Sequence, residues 1–286
     1  MMIIDSHQHF WALDRGDYHW LTPDLTALYR DYGPEDLKPI LAESGVSRTV
    51  AVQAAATEAE TRFLLDLAKR YDFIEGVVGW LDMESPRFRD AAGALIADSE
   101  DLFKGIRPMI QDIVDPDWIL SPKLDGSFEF LAAESLTFDA LVLPVHLSNL
   151  LKRLGRHPEL KVVVDHCAKP RIKEGEFDEW RSSIAAIARE TDAYCKLSGL
   201  LTEAAPECNT RDLGPYVDAI FEEFGENRTM WGSDWPVINL AGSYSDWLRM
   251  SRKLCAAIAP DAEAKVFGAN AARFYNIDKA SGGVSA

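Results

Sequence analysis

Two histidines near the start of the chain are spaced so that they can act together. His7 and His9 follow the apolar pair Ile3–Ile4, and side chains at positions i and i+2 of a strand point to the same face. Two imidazoles on one face either hold a divalent metal or donate hydrogen bonds to a carbonyl oxygen. A His-x-His tripeptide also occurs as a purely structural feature, so its interpretation depends on its partners.

A carboxylate near the other end of the chain is the best candidate for such a partner. Asp234 follows the run Thr229–Gly232 and precedes Pro236. A carboxylate beside two imidazoles can orient a water molecule and take its proton, so Asp234 is the predicted general base. The alternative is that Asp234 only caps a turn before the proline. If one divalent ion such as zinc is present, the predicted ligands are His7, His9 and Asp234.

Other polar residues also come directly after apolar runs, where strands would end. His166 follows Lys161–Asp165 and is the fourth predicted catalytic residue. Basic residues would bind the hydroxyl groups or the carboxylate of a ligand, and tryptophans would supply apolar walls. The predicted substrate-binding residues are Arg107, His146, Lys169, Lys196, Trp20 and Trp235. Asp5 shares the strand face of the two histidines and could fix their tautomers.

Asp234 can meet the two histidines only if the first and last strands of the fold are neighbours. Short apolar runs alternate with longer amphipathic segments along the chain, which is typical of βα units and a parallel sheet. Eight strands, each followed by a loop or helix, predict a closed (β/α)8 barrel, which brings the chain ends together. The predicted strands are Ile3–His7, Thr49–Gln53, Ile74–Leu81, Phe103–Pro108, Thr137–Leu143, Lys161–Asp165, Ala193–Leu197 and Thr229–Gly232.

The predicted barrel occupies residues 1–286 as a single domain. Thr57 begins a helix with a capping-box pattern, and Gly45 and Gly225 end helices. The aromatic segment at about residues 10–30 is too irregular for a simple connector, so we expect it to cover the mouth of a pocket. Further predicted helices span about 148–156, 178–190 and 214–224, and three terminal helices lie within about residues 243–276.

Composition restricts the possible partners. Lys and Arg total 30 against 46 Asp and Glu, and the net charge of −16 disfavours nucleic acid and anionic membrane surfaces. The sequence has neither a signal-peptide pattern nor an apolar stretch of membrane-spanning length, which predicts a cytoplasmic protein. The four cysteines form no C-x-x-C pair, so we expect reduced thiols. Whether the chain forms a homo-oligomer stays open.

Several stretches together resemble the amidohydrolase superfamily, and more narrowly its sugar-lactone hydrolases of the L-fuconolactonase and L-rhamnonolactonase type. These stretches are residues 4–11, 18–21, 165–170, 230–236 and 270–275. The resemblance implies a (β/α)8 barrel whose site gathers His7, His9, His166 and Asp234. Many superfamily members carry a fourth-strand lysine that supports two metal ions, whereas this chain has Arg107 there. The resemblance therefore implies one metal ion or none.

The resulting hypothesis is hydrolysis of a neutral aldonolactone, such as a deoxysugar lactone, to its aldonic acid. Asp234 would activate water, and His7 and His9, with or without one zinc ion, would polarise the carbonyl. One alternative is an enzyme of the same superfamily that hydrolyses aromatic dicarboxylate lactones or decarboxylates aromatic acids with a metal. A second alternative is a barrel that binds a ligand without catalysis.

Overall fold

Eight parallel strands form one sheet in the order β1 to β8, as the (β/α)8 prediction requires. The computed structural model describes residues 2–277. The strands are β1 Ile4–Gln8, β2 Arg48–Val52, β3 Ile74–Gly79, β4 Phe103–Ile106, β5 Thr137–Ala140, β6 Lys161–Val164, β7 Tyr194–Leu197 and β8 Thr229–Trp231. Each predicted strand is present. Several are shorter than predicted at the carboxyl end, because the apolar run continues into the following loop.

The barrel is nearly closed where the two ends of the chain meet. Backbone N–H of Asp234 donates to the carbonyl of His7 at 2.8 Å, and that of His9 donates to the carbonyl of Trp235 at 2.7 Å. Gln8 and Trp235 form a parallel bridge. These bonds fix the predicted histidine pair and the predicted base relative to each other through the backbone.

Helices pack outside the strands. They are α1 Pro34–Ser44, α2 Glu58–Arg70, α3 Phe88–Asp98, α4 Asp125–Ala133, α5 Leu147–Arg156, α6 Asp178–Glu190, α7 Thr210–Phe224, α8 Tyr244–Ile258 and α9 Asn270–Phe274. Gly45 ends α1 with φ of +68°, and Thr57 caps α2 by accepting a hydrogen bond from the Glu60 N–H. The predicted start of α7 at residue 214 is wrong, because Asn209 caps the helix at Thr210.

The aromatic segment after β1 packs as a small cluster over one side of the barrel. Trp11 lies edge-on to Trp20 and Tyr32, with ring centroids 5.5 and 5.4 Å apart. At the other end of the chain, α8 is followed by a π-helical turn, Lys265–Ala269, that leads into α9. Within residues 2–277, none of the helices is both long and apolar enough to span a bilayer. The cytoplasmic location stays a prediction.

Candidate active site

A cavity of about 340 Å³ opens at the carboxyl end of the strands, where barrel enzymes place their chemistry. Its floor is polar and its rim is partly apolar, as in many small-molecule sites. The floor residues are His9, Arg107, His166 and Asp234, and the walls include Trp20, Leu25, Ala54, Met109, Gln111, Asp112, Leu141, Lys169, Thr202, Glu203, Val237 and Leu240.

The carboxylate of Asp234 lies among three imidazoles. Its Oδ1 is 3.2 Å from Nε2 of His9, 3.7 Å from Nε2 of His7 and 3.9 Å from Nε2 of His166. Asp234 itself has a positive φ of 58°, which turns the side chain from the strand into the cavity. The first and last strands bring the Asp234 carboxylate to His7 and His9, and the turn after β6 adds His166.

His7 and His9 converge as the strand spacing predicts, but they have different exposure. Their Nε2 atoms are 3.2 Å apart. His9 forms part of the cavity floor, and its Nδ1 lies 2.8 Å from the carbonyl oxygen of Val52, so Nδ1 carries the donated proton. His7 has no solvent-exposed surface and lies directly beneath the floor.

A left-handed turn positions His166. Residues 166–169 have φ values of 53°, 53°, 59° and 51°, a conformation that costs about 1 kcal/mol for each residue with a side chain. The indole N–H of Trp180 donates to the carbonyl of Cys167 at 2.7 Å and holds the turn. A Cβ on Gly199 would lie 2.7–2.8 Å from the His166 ring, so only glycine leaves room for the imidazole. The other ring nitrogen, Nδ1, contacts Ser198 Oγ at 2.8 Å.

Arg107 brings a buried positive charge to the floor. It is 3% exposed, and its Nη1 is 3.3 Å from Nε2 of His7 and 3.7 Å from Oδ2 of Asp165. Its Nη2 donates to the backbone oxygen of Gln53, whose amide Nε2 in turn donates to the carbonyl of Arg107 at 2.9 Å. These reciprocal bonds fix the guanidinium plane against the site.

Burial and neighbouring groups set the protonation states at the floor. Burial would raise the pKa of Asp234, but the surrounding imidazoles, His166 foremost, hold the pKa well below its usual value. Burial lowers the pKa of His166 to about 4. Burial and then the positive charge of Lys196 lower the pKa of His7 well below 6.5. At neutral pH the site therefore contains an ionised Asp234 carboxylate with neutral His7 and His166.

Charges on the cavity wall are paired with one another. Lys169 Nζ lies 3.0 Å from Oε1 of Glu203 and 3.2 Å from Oε1 of Gln111. Asp112 adds a second wall carboxylate. The wall therefore offers both donors and acceptors, with little excess charge.

The structure places three predicted substrate-binding residues outside the cavity lining. Lys196 is fully buried beneath His7. His146 is 4% exposed, and its Nδ1 accepts the N–H of Leu143 at 3.1 Å. Trp235 packs on Phe10 and on the aromatic segment. Arg107, Lys169 and Trp20 do line the cavity.

Asp5 has a different role from the predicted one. Its Oδ1 accepts the backbone N–H groups of His7 and Ser233, at 3.1 and 2.8 Å, and its Oδ2 accepts the Tyr244 hydroxyl at 3.1 Å. The carboxylate thus joins the backbones of β1 and the loop after β8. It fixes the strand that carries the imidazoles rather than their tautomers.

Sequence reasoning missed two kinds of residue near the site. Asp139 and Asp165 are buried carboxylates inside or at the end of apolar strands, and a charge within such a run was the available signal. Gln111, Thr202 and Glu203 come from loops that fold over the cavity, and their sequence carries no comparable signal.

Sequence reasoning also missed a role for Glu60 near the site, because its spacing from Thr57 was explained by a capping box at the start of α2. Its Oε1 accepts the N–H of Ala54 at 2.8 Å, in the cavity wall, and its Oε2 is buried without a partner in the described structure. Burial raises the pKa of Glu60 to about 8. The folded protein therefore keeps a proton that the unfolded chain loses near pH 4.5, and the resulting stabilisation is lost as the pH rises toward 8.

We expect Glu60→Gln to flatten this pH dependence. Across pH 6–8 the wild-type unfolding free energy should fall by about 1 kcal/mol per pH unit relative to the variant. Denaturant unfolding at several pH values measures the difference. Glu58→Gln, on the same helical turn with a side chain that is 43% exposed, is the matched control. Parallel curves for wild type and Glu60→Gln would contradict the raised pKa.

One divalent ion fits the donor set at the floor. Ligand atoms of His7, His166 and Asp234 all lie within 4.8 Å of one another. Ligands at about 2.0–2.2 Å from a tetrahedral zinc ion would lie about 3.3–3.6 Å apart, close to the observed separations from Asp234. Imidazole and carboxylate are also the ligands that zinc accepts. However, the Arg107 guanidinium already places a positive charge beside His7 Nε2.

A buried carboxylate ringed by imidazoles, at the carboxyl end of a (β/α)8 barrel, is an arrangement typical of hydrolases that activate water. Residues 4–277 match the amidohydrolase family. The chain belongs to this family, which confirms the resemblance found in its motifs.

Relatives and solved structures agree with this assignment. The chain is 46% identical to an L-fucono-1,5-lactonase of Burkholderia ambifaria, covering 98% of this chain and 97% of that protein. It is 33% identical to an L-fucono-1,5-lactonase of Burkholderia multivorans, with 95% of each covered. A crystal structure of a B. multivorans amidohydrolase with bound zinc is similar with a TM-score of 0.90, at 32% identity, covering 96% of this chain and 99% of that one.

Proposed function

We propose that this protein hydrolyses a sugar lactone, of the L-fucono-1,5-lactone type, to the aldonic acid. The observation that carries the proposal is the ionised Asp234 carboxylate on the cavity floor, with imidazoles 3.2–3.9 Å from one of its oxygens. The substrates named for the relatives at 46% and 33% identity support the same chemistry. An activated cyclic ester needs only a base, a donor for the oxyanion and a proton for the leaving oxygen.

Attack on the carbonyl begins with water bound to Asp234. Asp234 takes one proton from the water as the water oxygen bonds to the lactone carbon. The carbonyl π bond breaks, and its electron pair becomes the oxyanion. Arg107 is the fixed cation on the floor and donates to this oxygen, because its guanidinium is held against the site by Gln53.

Collapse of the tetrahedral intermediate breaks the bond between the carbonyl carbon and the ring oxygen. The leaving oxygen receives the proton that Asp234 acquired, either directly or through His166, whose Nε2 is 3.9 Å from Oδ1. Asp234 returns to the carboxylate form, and the product is a hydroxy acid. Backbone bonds between β1 and the loop after β8 hold Asp234 beside His7 and His9. Arg107 takes the role of polarising the carbonyl that was predicted from the sequence for His7 and His9.

A metal ion is compatible with this site, with His7, His166 and Asp234 as the holding residues in place of the predicted His7, His9 and Asp234. His7 would hold such an ion only through an unprotonated Nε2. A bound divalent ion would supply a Lewis acid for the carbonyl oxygen. Arg107 already supplies positive charge at the same place. We therefore infer that hydrolysis does not depend on a metal.

We expect the metal-free protein to retain at least about half of its lactonase activity. The physical reason is that Arg107 stabilises the oxyanion without a metal. Elemental analysis before and after chelation, combined with turnover measurements on the same samples, tests this. Complete loss of turnover on chelation, restored by zinc, would show that the metal is required.

Paired wall charges favour a neutral ring with hydroxyl groups over a dicarboxylate. Lys169 is neutralised by Glu203, and Asp112 would repel an anion. Binding two or three carboxylates would require several unpaired cations. The aromatic dicarboxylate lactones and the aromatic acids of the alternative hypothesis therefore fit this cavity less well.

A panel of substrates separates these possibilities. Proton release with stereoisomeric 1,5- and 1,4-sugar lactones should greatly exceed that with anionic aromatic lactones. Turnover of only the anionic compounds would overturn the proposal. A protein that binds sugar lactones without hydrolysing them would instead be the non-catalytic barrel of the third hypothesis.

The acid limb of the pH profile follows from His166. Its pKa of about 4 means that the imidazole is neutral and able to exchange protons above that pH. We expect kcat/KM for a neutral lactone to be nearly flat from about pH 5 to 7 and to fall as the pH drops through about 4. Initial rates in constant-ionic-strength buffers measure this, and an acid limb centred near pH 6.5 would contradict the assigned environment.

A further inference from the structure

A buried lysine contacts one ring nitrogen of His7 from beneath the cavity floor. Lys196 lies on β7 and is fully buried. Its Nζ is 2.6 Å from Oδ2 of Asp139, 3.0 Å from Oδ1 of Asp165 and 3.1 Å from Nδ1 of His7. Two hydrogen-bond acceptors, on Asp139 and His7, and the paired carboxylate of Asp165 thus surround the amine.

The surroundings of Lys196 require its charged form. Two carboxylates lie within 3.0 Å of the amine in a barrel interior that excludes water, and buried charges persist when paired in this way. Tyr275, just after α9, donates its hydroxyl to Oδ2 of Asp139 at 2.6 Å and closes the cluster from below. An ammonium group has no lone pair, so Nδ1 of His7 must be the acceptor in their contact.

The proton of a neutral His7 then has only one position, Nε2. That atom is 3.2 Å from Nε2 of His9 and 3.7 Å from Oδ1 of Asp234. A neutral His9 that donates from Nδ1 to the carbonyl of Val52 has a bare Nε2, which accepts from His7 and is also 3.2 Å from Oδ1 of Asp234. Donors and acceptors therefore match along a chain from Lys196 through His7 and His9 to Val52.

The opposite tautomer of His7 fits less well. Arg107 Nη1, at 3.3 Å, could donate to Nε2, and a proton on Nδ1 could then reach Oδ1 of Asp165 at 3.5 Å. That arrangement would place the Nδ1–H of His7 against an N–H of Lys196 at 3.1 Å, with two donors facing each other. A proton on Nε2 instead faces Arg107 Nη1 at the longer distance of 3.3 Å, and Nη1 also has Oδ2 of Asp165 at 3.7 Å to donate toward. The shorter Lys196 contact therefore favours the Nε2 tautomer.

We propose that Lys196 is a positioning residue that donates to Nδ1 of His7 and so keeps the His7 proton on Nε2, facing His9 and Asp234. The catalytic importance of this His7 tautomer rests on the proposed function. With this tautomer, Nε2 of His7 points its proton at Nε2 of His9 and at Oδ1 of Asp234. Asp234 then keeps lone pairs for the attacking water. Lys196 acts through His7 and does not touch the substrate, in contrast to its predicted role in substrate binding.

Nitrogen NMR of the full-length protein, labelled in its six histidines, reads the tautomer directly. His7→Gln and His9→Gln identify the two sets of resonances by their loss. We expect His7 to be protonated on Nε2 with Nδ1 bare, and His9 to be protonated on Nδ1. A His7 ring protonated on Nδ1 in the wild-type protein would overturn the proposal. This result does not depend on turnover, so a correct tautomer in a protein that hydrolyses no lactone would refute only the proposed function.

Removing the lysine tests the link to catalysis. We expect Lys196→Met to shift His7 toward the Nδ1 proton, to lower kcat about 10- to 100-fold and to leave KM within about threefold. The single variant leaves the carboxylates of Asp139 and Asp165 buried without the lysine charge, which could prevent folding. The double variant Lys196→Met/Asp139→Asn keeps the net charge of the cluster and replaces the single variant in that case. Arg153→Met is the matched control, because Arg153 is another fully buried cation paired with an aspartate, Asp125.

The control should leave the His7 tautomer and kcat unchanged. An unchanged His7 spectrum in both lysine variants would overturn the proposal. So would a rise in KM at constant kcat, which would identify Lys196 as a substrate-binding residue.

Discussion

Asp234→Asn should lower kcat/KM for a sugar lactone by about 10³- to 10⁴-fold. A positioned general base contributes about 10²- to 10⁴-fold, and an amide cannot take the proton of the attacking water. The loss should be near the upper end, because Asp234 is the one carboxylate on the cavity floor among residues 2–277, and the acidic wall residues Asp112 and Glu203 stand at its rim. Initial-rate kinetics with the preferred lactone of the panel measure the effect.

The fold should survive this substitution. Asn is nearly the same size as Asp, it tolerates the positive φ of 58° at position 234, and the backbone bond to His7 is retained. Circular dichroism and thermal unfolding serve as the control. Activity within tenfold of wild type in a folded Asp234→Asn protein would remove Asp234 from the mechanism.

Arg107→Met should produce the second largest effect, a fall in kcat of about 10²- to 10³-fold. The substitution removes the donor for the oxyanion, and losing one such donor costs about this factor in hydrolases. It also leaves Oδ2 of Asp165 without its nearby cation. Steady-state kinetics with a neutral lactone provide the measurement.

Arg107→Lys is the matched comparison for this residue. Lysine keeps the charge but cannot reproduce the two guanidinium bonds to Gln53, so we expect partial recovery of kcat. If Arg107→Met raised KM and left kcat intact, Arg107 would bind substrate and would not stabilise the oxyanion.

The fold could be predicted from the sequence because the side-chain alternation of strands and the positions of loops are encoded locally. The alternation of apolar runs and amphipathic segments predicts the barrel, and the i+2 spacing of His7 and His9 predicts their convergence. The start of α7 was missed because Gly214 and Pro215 suggest a helix boundary, whereas Asn209 provides the cap one turn earlier. Local cap chemistry, rather than composition, decides such boundaries.

Only some of the site residues could be predicted from the sequence, for two physical reasons. Lys196 follows an apolar strand residue, as a ligand-binding lysine could, and only the three-dimensional pairing with Asp139 and Asp165 shows that it lies in the barrel interior. The strand register also cannot reveal which loop side chains fold over the cavity, as Glu203 does beside Lys169. Strand-borne residues were predictable, whereas loop-borne residues and buried ion pairs depend on tertiary packing.

The base role of Asp234 can be tested by one isotope measurement. A single turnover with enzyme in excess, in water enriched in ¹⁸O and quenched rapidly, distinguishes direct water attack from attack by the carboxylate followed by hydrolysis at Cγ of Asp234. Asp234→Asn corrects for uncatalysed hydrolysis. If Asp234 activates water, the first-turnover acid carries one ¹⁸O atom in its new carboxylate, and Asp234 stays unlabelled. An unlabelled first-turnover acid, with ¹⁸O in the side chain of Asp234, would contradict the account.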